Sequence, residues 1–416
     1  MRTALCAIVF STSSVLAAGV EISLDQAARE MMDRNPELAA ARESLTAARA
    51  RERAAASPYF PQLSADARYD RVGGDAFLRS PGSDRFGLGL DVRQNLFEGF
   101  KTQAGVALQR ARVDSADAQY RRVLARLAAE LKTAYIELLY AQENQILAEK
   151  IAARRRNNLD LVQLRFEGGR ENKGSYLRIK SAERESWVEL VQSQRDVRLA
   201  RTRLARTLAR DLTDVLIATG TFSTAVAPEA PRLADLARAT PEVQMAEADR
   251  RAAEAGFTSA RGEFWPRIDA TLAHSWTGAD WAPGDRGWNG GVAVSLPLFT
   301  GGASFQGVRA ARADLKKADA EVFQIFDQTY LDLQSTWTAF QNARDNADLQ
   351  KEILEAANTR ALIAQGQYTS GLMSFEDWDL IENDLIQTHK QNLAALRNAV
   401  RAEAAWESAQ GKGWSP

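Results

Sequence analysis

The chain is poor in cysteine, histidine and proline, and each shortage excludes something. Its single cysteine among 416 residues is Cys6. That residue lies in an N-terminal segment that reads as an export signal. Arg2 gives a positive start and Ala4 to Leu16 an apolar core, with Val15-Leu16-Ala17 or Ala17-Ala18-Gly19 as the cleavage site. So little apolar sequence precedes Cys6 that it is not expected to carry a lipid. Without it the mature chain has no thiol, which excludes disulfides and cysteine-ligated metals. The two histidines, His274 and His389, are far apart, one on a strand stripe and one on a helix, without ligand spacing. No nucleophile motif or catalytic trio is evident, so the chain is not read as an enzyme and no cofactor or metal is expected. Gly73, Gly74 and the Gly87-x-Gly89 pair lack a following helix at phosphate-loop spacing and read as turn and strand residues.

Neither sign of charge dominates: 53 lysines and arginines face 54 aspartates and glutamates. No global field argues for nucleic acid. The arginines between Arg154 and Arg210 alternate with acids on helices, which points to solvated faces and interhelix pairs. Beyond the first residues no apolar run approaches the length of a transmembrane helix. If the protein enters a membrane, it does so with strands.

What the sequence has is a duplication. Asn35-Pro36-Glu37-Leu38 returns as Thr240-Pro241-Glu242-Val243, and Tyr59-Phe60-Pro61-Gln62-Leu63 as Phe264-Trp265-Pro266-Arg267-Ile268, both at an offset of 205. Leu96-Phe97-Glu98-Gly99 returns as Leu298-Phe299-Thr300-Gly301, and Phe166-Glu167-Gly168-Gly169 as Tyr368-Thr369-Ser370-Gly371, both at 202. The halves therefore differ by three residues in one place, a loop between Pro61 and Leu96.

Each half reads as helix, strand, turn, strand, very long helix, glycine turn, second long helix. The opening helix is expected from Leu24 to Ala56, stopping at Pro58 and Pro61. Then the period changes to two: Leu63, Ala65, Ala67 and Tyr69 alternate with polar residues. Gly73-Gly74 and Pro81-Gly82 mark a loop, and Phe86, Leu88, Leu90 and Val92 form the returning stripe. In the second half Ile268, Ala270, Leu272, His274 and Trp276 form one stripe, and Trp288, Val292, Val294, Leu296 and Leu298 the other. No proline occurs from Glu98 to Ala227 or from Leu298 to Ser415. Val113, Tyr120, Leu127, Ala134, Ala141 and Ala148 recur every seven residues, interleaved with Leu124, Leu131 and Leu138, as in a coiled-coil seam. A helix from Lys101 to Phe166 is ~100 Å long at ~1.5 Å per residue. A rod or a tunnel wall needs such a helix; an ordinary globular core does not.

Four strands cannot close a membrane barrel, which needs about eight or more, and an open edge cannot face lipid. If the strands span a membrane, several chains share one barrel. Three would give twelve strands, and strand physics alone permits other numbers. Tyr69, Trp276, Trp281 and Trp288 lie towards the loop ends, where an aromatic belt sits. The alternative is a periplasmic coiled-coil adaptor or structural protein without a pore, its hairpins forming a small soluble sheet.

The whole mature chain resembles the TolC-like outer-membrane efflux family. The stretch from Ser23 to Arg42, with Asn35-Pro36, resembles its first helix, and Trp265-Pro266-Arg267-Ile268 the start of its strands. Leu96, Phe97 and Gly99, and Pro297, Phe299, Gly301 and Gly302, stand at its strand-to-helix junctions. Phe166-x-x-Gly169 and Tyr368-x-x-Gly371 resemble its periplasmic tip turns. The resemblance implies a mainly α protein with a small β part. It would form a homotrimer, with a twelve-stranded barrel in outer-membrane lipid continuing into a twelve-helix periplasmic tunnel. An adaptor and an inner-membrane transporter would dock at the tips, and solute would pass without chemistry. The implied domains are a signal peptide (1–18), a first repeat (19–210, strand hairpin 62–97, helical hairpin 100–210) and a linker (211–237). A second repeat (238–410, strand hairpin 267–299, helical hairpin 302–410) and a tail (411–416) follow. The second tip keeps the family-like Gly371-x-x-Ser374-x-x-Asp377 pattern. The first departs from it, with Asn172 and Ser175 at the matching positions.

The tips are expected to carry adaptor contact and gating through Gly169, Arg170, Lys173, Ser175, Tyr368, Gly371, Ser374, Asp377, Asp379, Glu382 and Asp384. Their charge is opposite. Arg165, Arg170, Lys173, Arg178 and Lys180 mark the first tip, Glu376, Asp377, Asp379, Glu382 and Asp384 the second. Helical spacing puts Asp377 and Asp384 on one face, expected to ring a narrow entrance, and Asp379 and Glu382 on roughly the opposite one, expected to pair with the basic tip.

Overall fold

The computed structural model describes residues 19–73, 83–222 and 231–414. The export segment with Cys6, and Gly74, Pro81, Gly82 and Pro228 of the expected loop and linker, lie outside them. In chain order the elements are β1 (Val20–Ile22), α1 (Leu24–Arg34), α2 (Pro36–Ala55), β2 (Gln62–Val72), β3 (Ser83–Glu98), α3 (Lys101–Glu167) and α4 (Lys173–Thr207). Then come β4 (Leu216–Ala218), α5 (Leu233–Ala239), α6 (Pro241–Arg261), β5 (Arg267–Gly278), β6 (Asp285–Ser295), α7 (Ala303–Ser370) and α8 (Phe375–Ala409).

The two proline-free stretches hold the helical hairpins α3–α4 and α7–α8, in which α3 and α7 have 67 and 68 residues. The opening helix expected from Leu24 to Ala56 is instead two helices. Pro36 disfavours the α conformation in the residue before it, so Asn35 is extended, with ψ at 119°. Its amide N–H closes α1 on the Met31 carbonyl, and its side chain accepts from the N–H groups of Glu37 and Leu38 at the start of α2. Thr240-Pro241 divides α5 from α6 with the same extended residue before proline, but the Thr240 side chain does not cap α6 and donates back to the Ala237 carbonyl. Ser23 and Gln26 form a reciprocal capping box at the start of α1.

Above the middle of the rod the helices pack in the order α2–α3–α6–α7, and below it α4–α3–α8–α7. α3 therefore meets partners on two sides and needs two apolar stripes. The expected seam supplies the buried Leu127, Leu131, Leu138, Ala141 and Ala148. A second heptad, Ala104, Ala111, Ala118 and Ala125, is equally buried, and its small side chains let neighbouring backbones come close. At the middle the linker supplies both a strand and a helix. β4 pairs in parallel with β1. Gln142 holds Ala218 by both amide groups, and the Tyr135 hydroxyl donates to the Ile22 carbonyl.

At the far end β2, β3, β5 and β6 form one antiparallel sheet in that order. Register keeps the expected stripes together: Leu63 faces Val92, Val92 faces Leu272, and Ile268 faces Val294. One face is thus apolar and the other carries Asp66, Arg68, Asp91, Arg93 and Asp269. The three-residue difference between halves lies between the paired strand ends: ten residues separate Val72 from Ser83, and seven separate Thr277 from Asp285. The last strand was expected to run to Leu298 and beyond. It stops at Ser295, and among the described residues no strand pairs with the segment that follows.

Candidate functional site

The two helical hairpins turn with one geometry. After α3, Gly169 takes φ 69°, and the N–H groups of Gly169 and Arg170 return to the carbonyls of Phe166 (3.0 Å) and Arg165 (2.8 Å). After α7, Gly371 takes φ 80°, and Gly371 and Leu372 return to Tyr368 (3.1 Å) and Gln367 (2.8 Å). A left-handed residue is what makes this closure possible, hence glycine at both places. Asn172 then caps α4 by accepting from the Ser175 N–H (2.9 Å), as Ser374 caps α8 by accepting from Asp377 (3.1 Å). The departures at Asn172 and Ser175 leave the turn unchanged; what they change is charge.

α8 presents its acids on two faces. Asp377 is exposed, and its carboxylate accepts from the Ser374 hydroxyl (2.9 Å). Asp384 is exposed and pairs with Arg360 of α7 at 3.3 Å. Asp379 and Glu382 are buried against the first hairpin. Glu382 accepts two bonds from Arg154, at 2.6 Å each, and one from Asn158 at 3.2 Å. Asp379 meets Arg178 at 2.7 Å and Arg155 at 3.8 Å. Arg155 is itself buried and also donates to Asn383. Burial pushes the Arg155 guanidinium down from its ordinary pKa, and the charges of Asp379 and Glu382 act against that shift. Of the cations expected at the first tip, Arg178 joins this cluster, whereas Arg170, Lys173 and Lys180 stand exposed.

Tyr368 ties the tips together. Its fully buried ring stacks on Trp378 (4.3 Å, 3° between planes), and the Arg165 guanidinium lies 4.5 Å from its centre. Arg165 also donates to the Tyr368 carbonyl (2.9 Å), while the tyrosine hydroxyl donates to Glu171 (3.1 Å). Burial pushes the phenol pKa up, and the Glu171 charge adds to it. Sequence reasoning missed Trp378, Arg154, Arg155, Asn158 and Glu171 as members of the site. For Trp378 a signal existed: Phe375, Trp378, Ile381 and Leu385 follow one helical stripe.

At the strand-to-helix junctions Gly99 (φ 65°) and Phe100 (φ 66°) match Gly301 (φ 63°) and Gly302 (φ 85°). A Cβ on Gly99 would lie 2.5 Å from the Gly262 carbonyl oxygen, so the crossing of two backbones also demands glycine. Phe100 occupies a left-handed position that costs a non-glycine residue ~1–2 kcal/mol. Its ring lies edge-on to Phe97 (5.5 Å) and Trp265 (5.9 Å). Leu96 is exposed, as are Leu298 and Phe299 beyond Pro297. Tyr59, Phe60, Phe264 and Phe305 add exposed aromatics at this end of the sheet, opposite the loop-end aromatics Tyr69, Trp281 and Trp288. Two such girdles are what a barrel places at the two membrane interfaces.

An amphipathic sheet mounted on a rod of this length is the form of an outer-membrane channel subunit. Residues 27–210 and 233–412 match the outer membrane efflux protein family, and the chain belongs to it. It is 22% identical to outer membrane efflux protein BepC of Brucella suis over 86% of this chain and 78% of that one. To protein CyaE of Bordetella pertussis it is 24% identical over 64% of this chain, a match that spans 58% of CyaE's length. Its fold is that of CusC, known from crystal structures that follow folding and transmembrane channel formation. The TM-score is 0.85 over 96% of both chains, at 18% identity. The protein is an efflux protein of the Gram-negative outer membrane that extends into the periplasm.

Proposed function

We propose that three copies close one twelve-stranded barrel in outer-membrane lipid and continue it as one twelve-helix tunnel. The assembly is a passive duct from an inner-membrane transporter to the exterior. The two repeats, residues 19–210 and 238–410, form adjacent wall segments joined by the 211–237 linker. One observation carries the reading: the four-stranded sheet has an apolar face, yet among the described residues β2 and β6 each present an unpaired edge. Unpaired backbone in hydrocarbon costs several kcal/mol per group, so the edges must find each other in other copies. Strands of 11 to 16 residues are long enough to cross the membrane at a tilt.

The tips form the periplasmic entrance, where an adaptor docks. Asp377, on the exposed face of α8, rings the opening, while Asp379 and Glu382 hold α8 on the first hairpin. Reconstitution into planar bilayers tests the duct: stable conductance steps from a detergent-extracted oligomer are expected. A monodisperse, water-soluble monomer without conductance would refute it.

A further inference from the structure

Several cations of the upper rod are answered by acids. Arg110 pairs with Glu52, Arg121 with Asp117 and Arg251 with Asp114. Close to the sheet Lys101 keeps Glu263, but four arginines break the pattern. Arg53 of α2, Arg261 of α6, and Arg309 and Arg312 of α7 are exposed, and none has an ion-pair partner among the described residues. Arg261 lies over the Phe257 ring at 5.8 Å. Helix dipoles do not account for this excess. They favour cations where α2 and α6 end. Yet α3 and α7 begin at the same height, where acids are favoured, and neither has an acid in its first turn.

The four stand beside the aromatic girdle at the rod end of the sheet, and on one side of the wall. Phe264 and Phe305, both exposed, meet at 5.1 Å between rings. Arg261 is three residues before Phe264. Phe305, Arg309 and Arg312 share one helical face, which puts the two arginines ~6 and ~10 Å along the rod from Phe305 at ~1.5 Å per residue. Arg53 is one turn past Arg49, and Arg261 two heptads past Glu247; Arg49 and Glu247 line one hollow with Arg238 of α5. Arg312 is two heptads before Phe326, which packs on the cluster that α5 joins. The arginines therefore share the side that carries α5. In a tunnel that side is the outer one, because α5 on the inside would obstruct the passage.

We propose that Arg53, Arg261, Arg309 and Arg312 form a collar that binds the phosphates of anionic phospholipids in the periplasmic leaflet of the outer membrane. The proposal rests on the reading of the sheet as part of a membrane barrel with the rod in the periplasm. Beyond the hydrocarbon each leaflet has ~5–7 Å of headgroup. The field of its charges persists for about a Debye length more, ~8 Å. That span covers the heights of all four side chains. All four are arginine rather than lysine, and a planar guanidinium meets a phosphate through two N–H groups at once. The girdle marks the edge of the hydrocarbon and the collar the layer beneath it. Together they fix the depth at which the barrel sits, and they make its stability depend on the charge of the lipid.

Lipid titration of the whole protein, extracted in a non-ionic detergent, tests the collar. A ligand that binds the folded state raises its thermal midpoint in step with concentration. Phosphatidylglycerol added to the micelles should raise the midpoint, whereas phosphatidylcholine or inorganic phosphate at the same concentration should not. Each cation near an anionic lipid surface is worth about fivefold in affinity. Arg309→Gln with Arg312→Gln should therefore shift the phosphatidylglycerol titration to about thirtyfold higher concentration. Arg309→Lys with Arg312→Lys, which keeps the charge, should shift it far less. Arg53→Gln with Arg261→Gln repeats the test on other helices, in case the first pair impairs folding. Arg195→Gln with Arg198→Gln removes the same charge from exposed positions of the lower rod and should match the wild type. An equal shift in that control would overturn the collar in favour of net charge. An equal response to inorganic phosphate would overturn the lipid as its occupant. A wild-type oligomer indifferent to phosphatidylglycerol would overturn the collar and leave the barrel standing. A water-soluble wild-type monomer would remove this proposal together with the reading beneath it.

Discussion

Asp379→Ala separates a buried ionic cluster from a merely wet acidic tip. The carboxylate is 2% exposed and has two guanidinium partners. When it is removed, Arg178, 65% exposed, returns to water, but Arg155, 7% exposed, cannot. Removing one partner of a buried pair costs ~3–5 kcal/mol because the other charge is stranded. Here the lower end applies, about 3 kcal/mol, because Arg155 keeps its bond to Asn383 and lies in the field of Glu382. Glu382→Ala strands Arg154, which is 36% exposed and can partly rehydrate, and leaves the buried Asn158 amide without this acceptor, so about 2–3 kcal/mol is expected. Asp377→Ala removes an exposed carboxylate and should cost under ~1 kcal/mol. Amide hydrogen exchange reads the difference locally. At ~1.36 kcal/mol per tenfold, Asp379→Ala should speed exchange in the first turns of α8 about a hundredfold, and leave the strands unaffected. If Asp379→Ala exchanges no faster than Asp377→Ala, the cluster does not hold the tips together.

For Asp377→Ala, single-channel recording should show reduced cation selectivity and weaker block by multivalent cations; wild-type values of both would place Asp377 outside the entrance. Val292→Asp or Val294→Asp should lower the yield of assembled oligomer in the membrane, since a charge on a lipid-facing stripe is costly. Normal assembly of both would turn that stripe away from lipid. Phe100→Gly relieves ~1–2 kcal/mol of left-handed strain and loses two edge-on ring contacts of ~0.5–1.5 kcal/mol each, so the thermal midpoint should barely move. Gly302→Phe adds the strain alone and should lower it, and the reverse ranking would refute the strain assignment.

What could be read from the sequence was what repeats or what is periodic. The lengths of α3 and α7 follow from absent proline and sustained helical period, and the strand stripes follow from alternation. The break at Asn35-Pro36 carried its own signal, an asparagine cap before a proline, but the helical pattern on either side masked it. The second seam of α3, Ala104 to Ala125, was hidden because alanine suits exposed and buried positions alike. Burial of Arg155 was not legible at all. It is set by α8, more than two hundred residues away, and an arginine inside a run of arginines looks solvated until that helix covers it. The early end of β6 escaped for a different reason: its residues alternate correctly, and what they lack is a partner rather than a pattern.

The duplication also weighs one seam of the wall against the other. In the proposed assembly α7 of one copy lies beside α4 of the next, as α3 lies beside α8 within a copy. Under the offset of 202, Arg154 and Arg155 correspond to Ala356 and Ala357, while Asp379 and Glu382 correspond to Leu177 and Lys180. The seam within a chain is therefore bonded by buried arginine–carboxylate pairs, and its counterpart between chains sets alanines against a leucine and a lysine. Two alanines offer neither charge for Lys180 nor much apolar surface for Leu177, so the between-chain seam is the weaker at this height. An entrance that widens should part there, each chain moving its α3–α4 and α7–α8 hairpins as one body. Spin-label distances across the tips separate the cases: those between hairpins of one chain should stay fixed while those between chains lengthen on opening. Lengthening within the chain instead would mean that the Asp379 and Glu382 cluster is the joint that opens.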